Sequence, residues 1–198
     1  MPWPASMAEV AATTKRLILR DWEPADEAAF YDIMNTFPVM EHLGGLQTRD
    51  EWNAGYQRLR DYQRDDGHTF WIVEDKESRE LLGFCGLKRA NAPGASFHGA
   101  MEIGWRLRES AWGKGIAKEA AIASLDIAFD RFRSLTVVAP TSRANIASQG
   151  LMKRLGMIRR DDLDYIDTRF PQDSDINPQI VHSIDATEWP AARVRALA

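Results

Sequence analysis

Residues 110–121 read SAWGKGIAKEAA, with Gly113 and Gly115 directly ahead of an alanine-rich run. Glycine inside a helix costs about 1 kcal/mol relative to alanine, so two of them where a helix is about to begin point to a bend that other residues resist. The preceding stretch, AMEIGWRLR, has strand character, with Glu102, Gly104 and Arg106 on one face and Met101, Ile103 and Trp105 on the other. A strand, a tight glycine turn and a helix start leave several backbone N–H groups without partners, and an anion is their natural guest. Gly113 and Gly115 can take positive φ and have no side chain to block a ligand. Downstream, Ala117, Ala121, Leu125 and Ala128 share one face of a helix expected to run to about Phe132 and to pack on a sheet.

Working outward, KRLILRDW alternates as a strand, and Pro24, Asp26 and Glu27 open a helix toward Asn35. Thr48 with Glu51 three residues on forms a capping box for a helix carrying Trp52, Tyr56, Leu59 and Tyr62. HTFWIVED and ELLGFCGLKR read as antiparallel strands, and AMEIGWRLR as the third of that set. SLTVVAP is a short strand closed by Pro140, and Asn145 and Gly156 bracket a further helix. Two last strands are expected near Met157–Arg160 and Ile180–Ile184. This order predicts an α/β (α+β) fold with a mixed, mostly antiparallel central sheet flanked by about four helices. Residues 1–12 are expected to be a flexible tail and residues 13–198 one domain.

The 198 residues include 44% hydrophobic and 27% charged residues, the balance of an ordinary soluble globular protein. A net charge of -4 with no basic stripe argues against a dedicated nucleic-acid binder and suits a cationic amine substrate. The single Cys85 excludes an internal disulfide, and no targeting or membrane-spanning segment is apparent, so a cytoplasmic location is expected without a membrane partner. A homodimer is left open. The four histidines are too scattered for a metal site.

Three phosphate-binding templates compete at the glycine bend. The Walker pattern fails for want of a Ser or Thr after its lysine, and the dinucleotide fingerprint fails because Lys118 stands where a small residue is required. The template that remains is the acyl-CoA pyrophosphate loop of the GNAT N-acetyltransferases, Q/R-x-x-G-x-G/A, which WGKGIA meets at Gly115 and Ala117 but not at Trp112. Trp at that place resembles the RimJ/RimL-type branch, the ribosomal-protein N-terminal acetyltransferases. KRLILRDWEPADEAAF resembles that branch's opening strand and helix, FWIVED with LLGFCGL its central hairpin, and NIASQGLMKRLGM its following helix. The resemblance covers roughly Thr14 to Trp189.

The resemblance implies transfer of acetyl from acetyl-CoA directly to a primary amine, either a protein N-terminal α-amine or a small molecule. It assigns to the coenzyme Leu107, the loop Trp112, Gly113, Lys114, Gly115, Ile116, Ala117 and Lys118, and also Asn145 and Lys153. It implies a sheet that splays between MEIGWRL and LTVVA to admit the pantetheine arm. An amine near neutrality is largely protonated, so a base is needed, and Glu102 on the strand entering the loop is the first candidate, with His98, Asp167 and His182 as others. Ser148 is the candidate proton donor to the departing thiolate; both it and Asn145 also suit a plain capping role. Cys85 reads as a buried strand residue rather than a nucleophile. Where the branch carries a His-Pro pair and a Tyr near its last strands, this chain shows Asp167, Thr168 and His182, so acceptor preference does not transfer. The rival readings are a CoA-binding module without catalysis and a nucleotide-phosphate binder using the same helix start.

Overall fold

The computed structural model describes residues 8–198. Residues 1–7 of the expected tail lie outside the described residues. Eight strands form one sheet: β1 (Val10–Thr13), β2 (Leu17–Arg20), β3 (Phe70–Asp75), β4 (Leu81–Arg89), β5 (Met101–Leu107), β6 (Thr136–Ser142), β7 (Ile158–Arg159) and β8 (Gln179–Asp185), in the order β1-β2-β3-β4-β5-β6-β8-β7. Every pairing is antiparallel except β5 with β6. A parallel pair needs a crossover, and α4 (Ile116–Asp126) with the five-residue wide turn Ile127–Arg131 supplies it.

The mixed, mostly antiparallel sheet is as expected, and among the described residues six helices, one of them a single turn, flank it. On one face α1 (Asp26–Met34), the single turn α2 (Phe37–Met40) and α3 (Arg49–Asp66) bury Trp22, Phe30, Met34, Trp52 and Tyr56 against Ile72 and Phe84. On the other, α4, α5 (Ile146–Arg154) and α6 (Trp189–Leu197) cover Leu87, Ile103, Val137 and Ile184. Ala121, Leu125 and Ala128 are fully buried there and Ala117 packs at the margin, so the stripe on α4 faces the sheet. Helix α6 is fixed by Trp189 and Ala192, with the Trp189 indole and Arg193 both donating to Asp126. The Thr48–Glu51 capping box forms in both directions.

Two sequence readings are corrected. Residues 10–12 are not a loose tail: Val10–Thr13 is an edge strand, held by ladder bonds to β2 that its short, small-residue sequence does not advertise. Nor does Pro140 close its strand, because β6 continues through it to Ser142. Opposite Pro140, Val181 turns both its backbone groups away, its N–H to Asp164 and its carbonyl to Arg160. The proline nitrogen therefore faces the β5 side, where no ladder bond exists for it to lose.

That absence is the feature that positions the site. Strands β5 and β6 pair only at Met101↔Val137 and Glu102↔Val138; beyond these the sheet opens, and one edge of β5 is left without a strand neighbour.

Candidate active site

The glycine bend has the conformation that its sequence requires. Gly113 and Gly115 hold φ of +70° and +76°, and a Cβ added at Gly113 would meet nothing within 4 Å. No protein acceptor takes up the backbone N–H groups of Gly113–Lys118 among the described residues. These amides, at the positive end of α4, are free to receive an anion. Trp112 braces it from below, its Nε1 donating to the Leu107 carbonyl at 2.8 Å. Arg16 braces it from the side: its Nη1 donates to the Lys114 carbonyl at 2.8 Å, and its Nε to Glu119 at 2.7 Å. Leu107 and Ile116 are themselves core residues, so of their expected coenzyme contacts only backbone groups are available. Lys114 and Lys153 are exposed and Lys118 is partly buried.

Across the opening between β5 and β6, the Trp105 indole donates to Ser148 Oγ at 3.3 Å. Because indole N–H only donates, the serine keeps its own proton for another acceptor. Asn145 caps α5, its Oδ1 accepting from the Ser148 N–H at 3.0 Å.

The opposite face of β5 looks into a cavity of about 440 Å³ between the sheet, α3 and the 163–177 segment. Glu102 lines it, buried, with Oε2 2.8 Å from Lys88 Nζ. Burial drives the Glu102 carboxyl above the usual carboxylate range, and the Lys88 charge offsets only part of this. Asp167 also lines the cavity, but Arg169 grips it through both guanidinium and backbone N–H; despite burial, which opposes it, this holds its pKa low. Tyr165 stands in the wall with its phenol pushed upward by burial and by Glu102 and Asp167, and therefore protonated. His98 and His182 do not line the cavity: the first is exposed on a loop, the second buried on β8. Lys88, Tyr165, Arg169 and Arg106 went unnoticed as site residues in the sequence. The register Lys88↔Glu102, with Phe84↔Arg106 further along the same hairpin, is the signal that would have found two of them.

Known proteins supply an independent measure. A family profile described as "Acetyltransferase (GNAT) domain" matches residues 16–158. The chain belongs to the GNAT acetyltransferases. It is 32% identical over 155 residues to the uncharacterized protein YkkB of Bacillus subtilis (strain 168), covering 76% of this chain and 86% of YkkB. It is 29% identical over 150 residues to the uncharacterized N-acetyltransferase YnaD of the same organism, covering 74% and 82%. Among solved structures, RimL, a ribosomal L7/L12 alpha-N-protein acetyltransferase, superposes with TM-score 0.73 at 16% identity over 93% of this chain and 98% of its own. Spermidine N-acetyltransferase from Vibrio cholerae, in complex with CoA and spermine, does so with TM-score 0.68 at 17% identity over 89% and 99%. Such identities show a common fold alone, and neighbours named for different acceptors share it, so the RimJ/RimL branch is not singled out. This GNAT chain is an acetyltransferase with acetyl-CoA as cosubstrate. No helix among the described residues is long and apolar enough to cross a membrane.

Proposed function

We propose that the GNAT chain transfers acetyl directly to a primary amine held in the cavity beside Glu102. The observation that carries this is the placement of two sites on opposite sides of one strand at the point where the sheet opens. On the α4 side lie the bared amides of Gly113–Lys118 and the Trp105–Ser148 bridge; on the α3 side lies the cavity with Glu102. Gly113 and Gly115 bring only backbone to the bend, which suits a diphosphate, and Lys114, Lys118 and Lys153 add charge around it.

Acetyl-CoA bound there supplies the thioester. Glu102 takes the proton from the incoming ammonium; its raised affinity for protons brings it closer to the working pH of a base, and Lys88 keeps it ionised until then. Backbone N–H groups on the unpaired edge of β5 face the charge that develops on the acetyl oxygen. Ser148, whose hydroxyl proton is uncommitted, protonates the departing sulfur. Cys85 takes no part: it is fully buried beside Ser124, and burial pushes its thiol up to about 12, which favours direct transfer over an acetylated cysteine. A chain with this single sheltered thiol suits the cytoplasm.

The test is a pool of amines and short peptides incubated with acetyl-CoA and read by mass spectrometry. Acetylated products from the native protein, with a loss of at least about 10²-fold in Glu102→Gln at neutral pH, are expected. Undiminished turnover in Glu102→Gln would remove that residue as the base, and coenzyme binding without any product would favour a module that binds CoA without catalysis.

A further inference from the structure

Arg106 is the one residue on the cavity side of β5 whose chemistry the reaction above leaves unused. It shares a face with Glu102, four residues and so about 13 Å away along the strand. Its guanidinium sits 5.3 Å from the Phe84 ring centre and 6.0 Å from that of Trp52. Its Nε is buried with no hydrogen-bond partner, and no carboxylate pairs with it among the described residues. Burial alone lowers its pKa to about 10, leaving it cationic at neutral pH.

The other charges in the cavity do not answer it. Glu102 is engaged by Lys88, and Asp167 by Arg169. Arg58, on the exposed side of α3, adds a further cation to the lining. The acidic protein thus encloses a pocket with surplus positive charge, the reverse of what its net charge suggested for a cationic substrate. The half-buried guanidinium has aromatic rings beside it and N–H donors, Nε among them, without an acceptor, and the group that would complete it is a planar oxyanion accepting two parallel N–H bonds. Around it, Phe30, Phe70 and Phe84 stack ring against ring, with 5.6 Å between Phe30 and Phe84 and 5.0 Å between Phe70 and Phe84, an apolar wall for the body of a small molecule.

We propose that the acceptor is a small amine that also carries an anionic group, a carboxylate or a phosphate, joined by an apolar or aromatic body. Its anion is seated on Arg106 and its amine presented to Glu102. This rests on the acetyl-transfer reading above and narrows its acceptor class: polyamines, whose extra ammonium groups would meet Arg106, are poor substrates.

The experiment compares acetylation of 4-(aminomethyl)benzoate, 4-(aminomethyl)benzamide, tyramine phosphate, tyramine, 2-phenylethylamine and spermine by the native protein, Arg106→Met and Arg106→Lys. A charged hydrogen-bonded pair contributes about 1.5–3 kcal/mol, so kcat/KM for carboxylate- or phosphate-bearing amines should exceed that for their neutral analogues by about 10- to 100-fold. The preference should collapse toward unity in Arg106→Met and recover in part in Arg106→Lys. 4-(Aminomethyl)benzoate against tyramine phosphate separates the two anion sources. Equal rates for charged and neutral amines, preference for spermine, or a preference unaltered in Arg106→Met would overturn the proposal while leaving acetyl transfer standing. If no amine turns over, calorimetry of 3-phenylpropanoate binding to each protein with CoA present decides independently: binding lost in Arg106→Met supports the anion seat, and no binding to the native protein refutes it. Absence of both product and CoA binding instead defeats the acetyl-transfer reading. Circular dichroism and the affinity for acetyl-CoA report whether each variant has folded.

Discussion

Replacing Lys88 by glutamine probes Glu102 without altering Glu102 itself. In the native protein Lys88 Nζ lies 2.8 Å from Glu102 Oε2; it also donates to the Asn91 side chain at 3.3 Å and the Arg89 carbonyl at 3.4 Å and sits 5.8 Å from the Tyr62 ring centre. Both side chains are nearly out of solvent, at 12% and 10% exposure, so water screens the pair little. Burial already raises the proton affinity of the carboxylate, and Lys88 is the largest influence lowering it. An opposite charge at such range is worth about 1–3 pKa units, so its removal should move the Glu102 titration upward by that amount. A base must be ionised to accept a proton, and the acidic limb of kcat/KM should therefore shift toward alkaline pH by the same about 1–3 units. Below the limb each unit is a tenfold loss, whereas well above it the variant should approach native activity. The assay is release of CoA thiol from acetyl-CoA across pH 5–9, repeated with two acceptors of different basicity. The limb that belongs to the amine follows the acceptor, and the limb that belongs to Glu102 does not. A limb in the same place in both proteins, or a loss uniform with pH, would refute the assignment of Glu102 as base.

Other perturbations reach the remaining parts of the site and fold. Gly115→Val forces a β-branched residue to φ +76° at a cost of about 1–2 kcal/mol, roughly 2–8 °C in Tm. It should also abolish the thermal upshift produced by acetyl-CoA; retention of that upshift would exclude the bend as the coenzyme's seat. Ser148→Ala should lower kcat by about 10²-fold with acetyl-CoA affinity preserved, and an unchanged kcat would transfer the acid role to another group such as Tyr165. Asp21, partly buried, has its carboxyl raised to about 6 by burial and by Glu9. A raised folded-state value gives stability that is present below the unfolded pKa and lost as pH rises through 6. Asp21→Asn should thus leave Tm unchanged near pH 4 and raise it at pH 8, by about 1 kcal/mol or 2–4 °C after allowance for its solvent exposure; a loss at pH 8 would contradict this sign.

The features legible in the sequence are those in which neighbours along the chain complete the physics. Gly113 and Gly115 declare a positive-φ bend because few other residues tolerate one, and Thr48 with Glu51 closes a capping box within four residues. Features completed by distant chain were not legible. The tolerance of β6 for Pro140 depends on Val181, on a strand about forty residues on, turning its backbone away. The cavity is the clearest case. Lys88 and Phe84 come from one strand of a hairpin and Glu102 and Arg106 from the other, while Asp167 and Arg169 arrive from a segment more than sixty residues on. Their charges sum to a basic pocket that the acidic composition conceals.

The opening of the sheet ties these parts together. Had β5 continued to pair with β6 beyond Glu102, its edge amides would be consumed in the ladder and no path would join the two faces. Instead, side-chain alternation along β5 directs Trp105 toward Ser148 and directs Glu102 and Arg106 into the cavity, leaving a single strand between the seats proposed for coenzyme and acceptor. Gly104 keeps that strand thin on the cavity side, since a Cβ there would lie 2.9 Å from the Phe70 ring and displace the wall against which an acceptor must lie. On the proposed reading two reactants approach one bond from opposite faces without sharing a pocket, so that changes at Arg106 and its aromatic surroundings would alter acceptor choice while leaving the coenzyme seat proposed at Gly113–Lys118 intact.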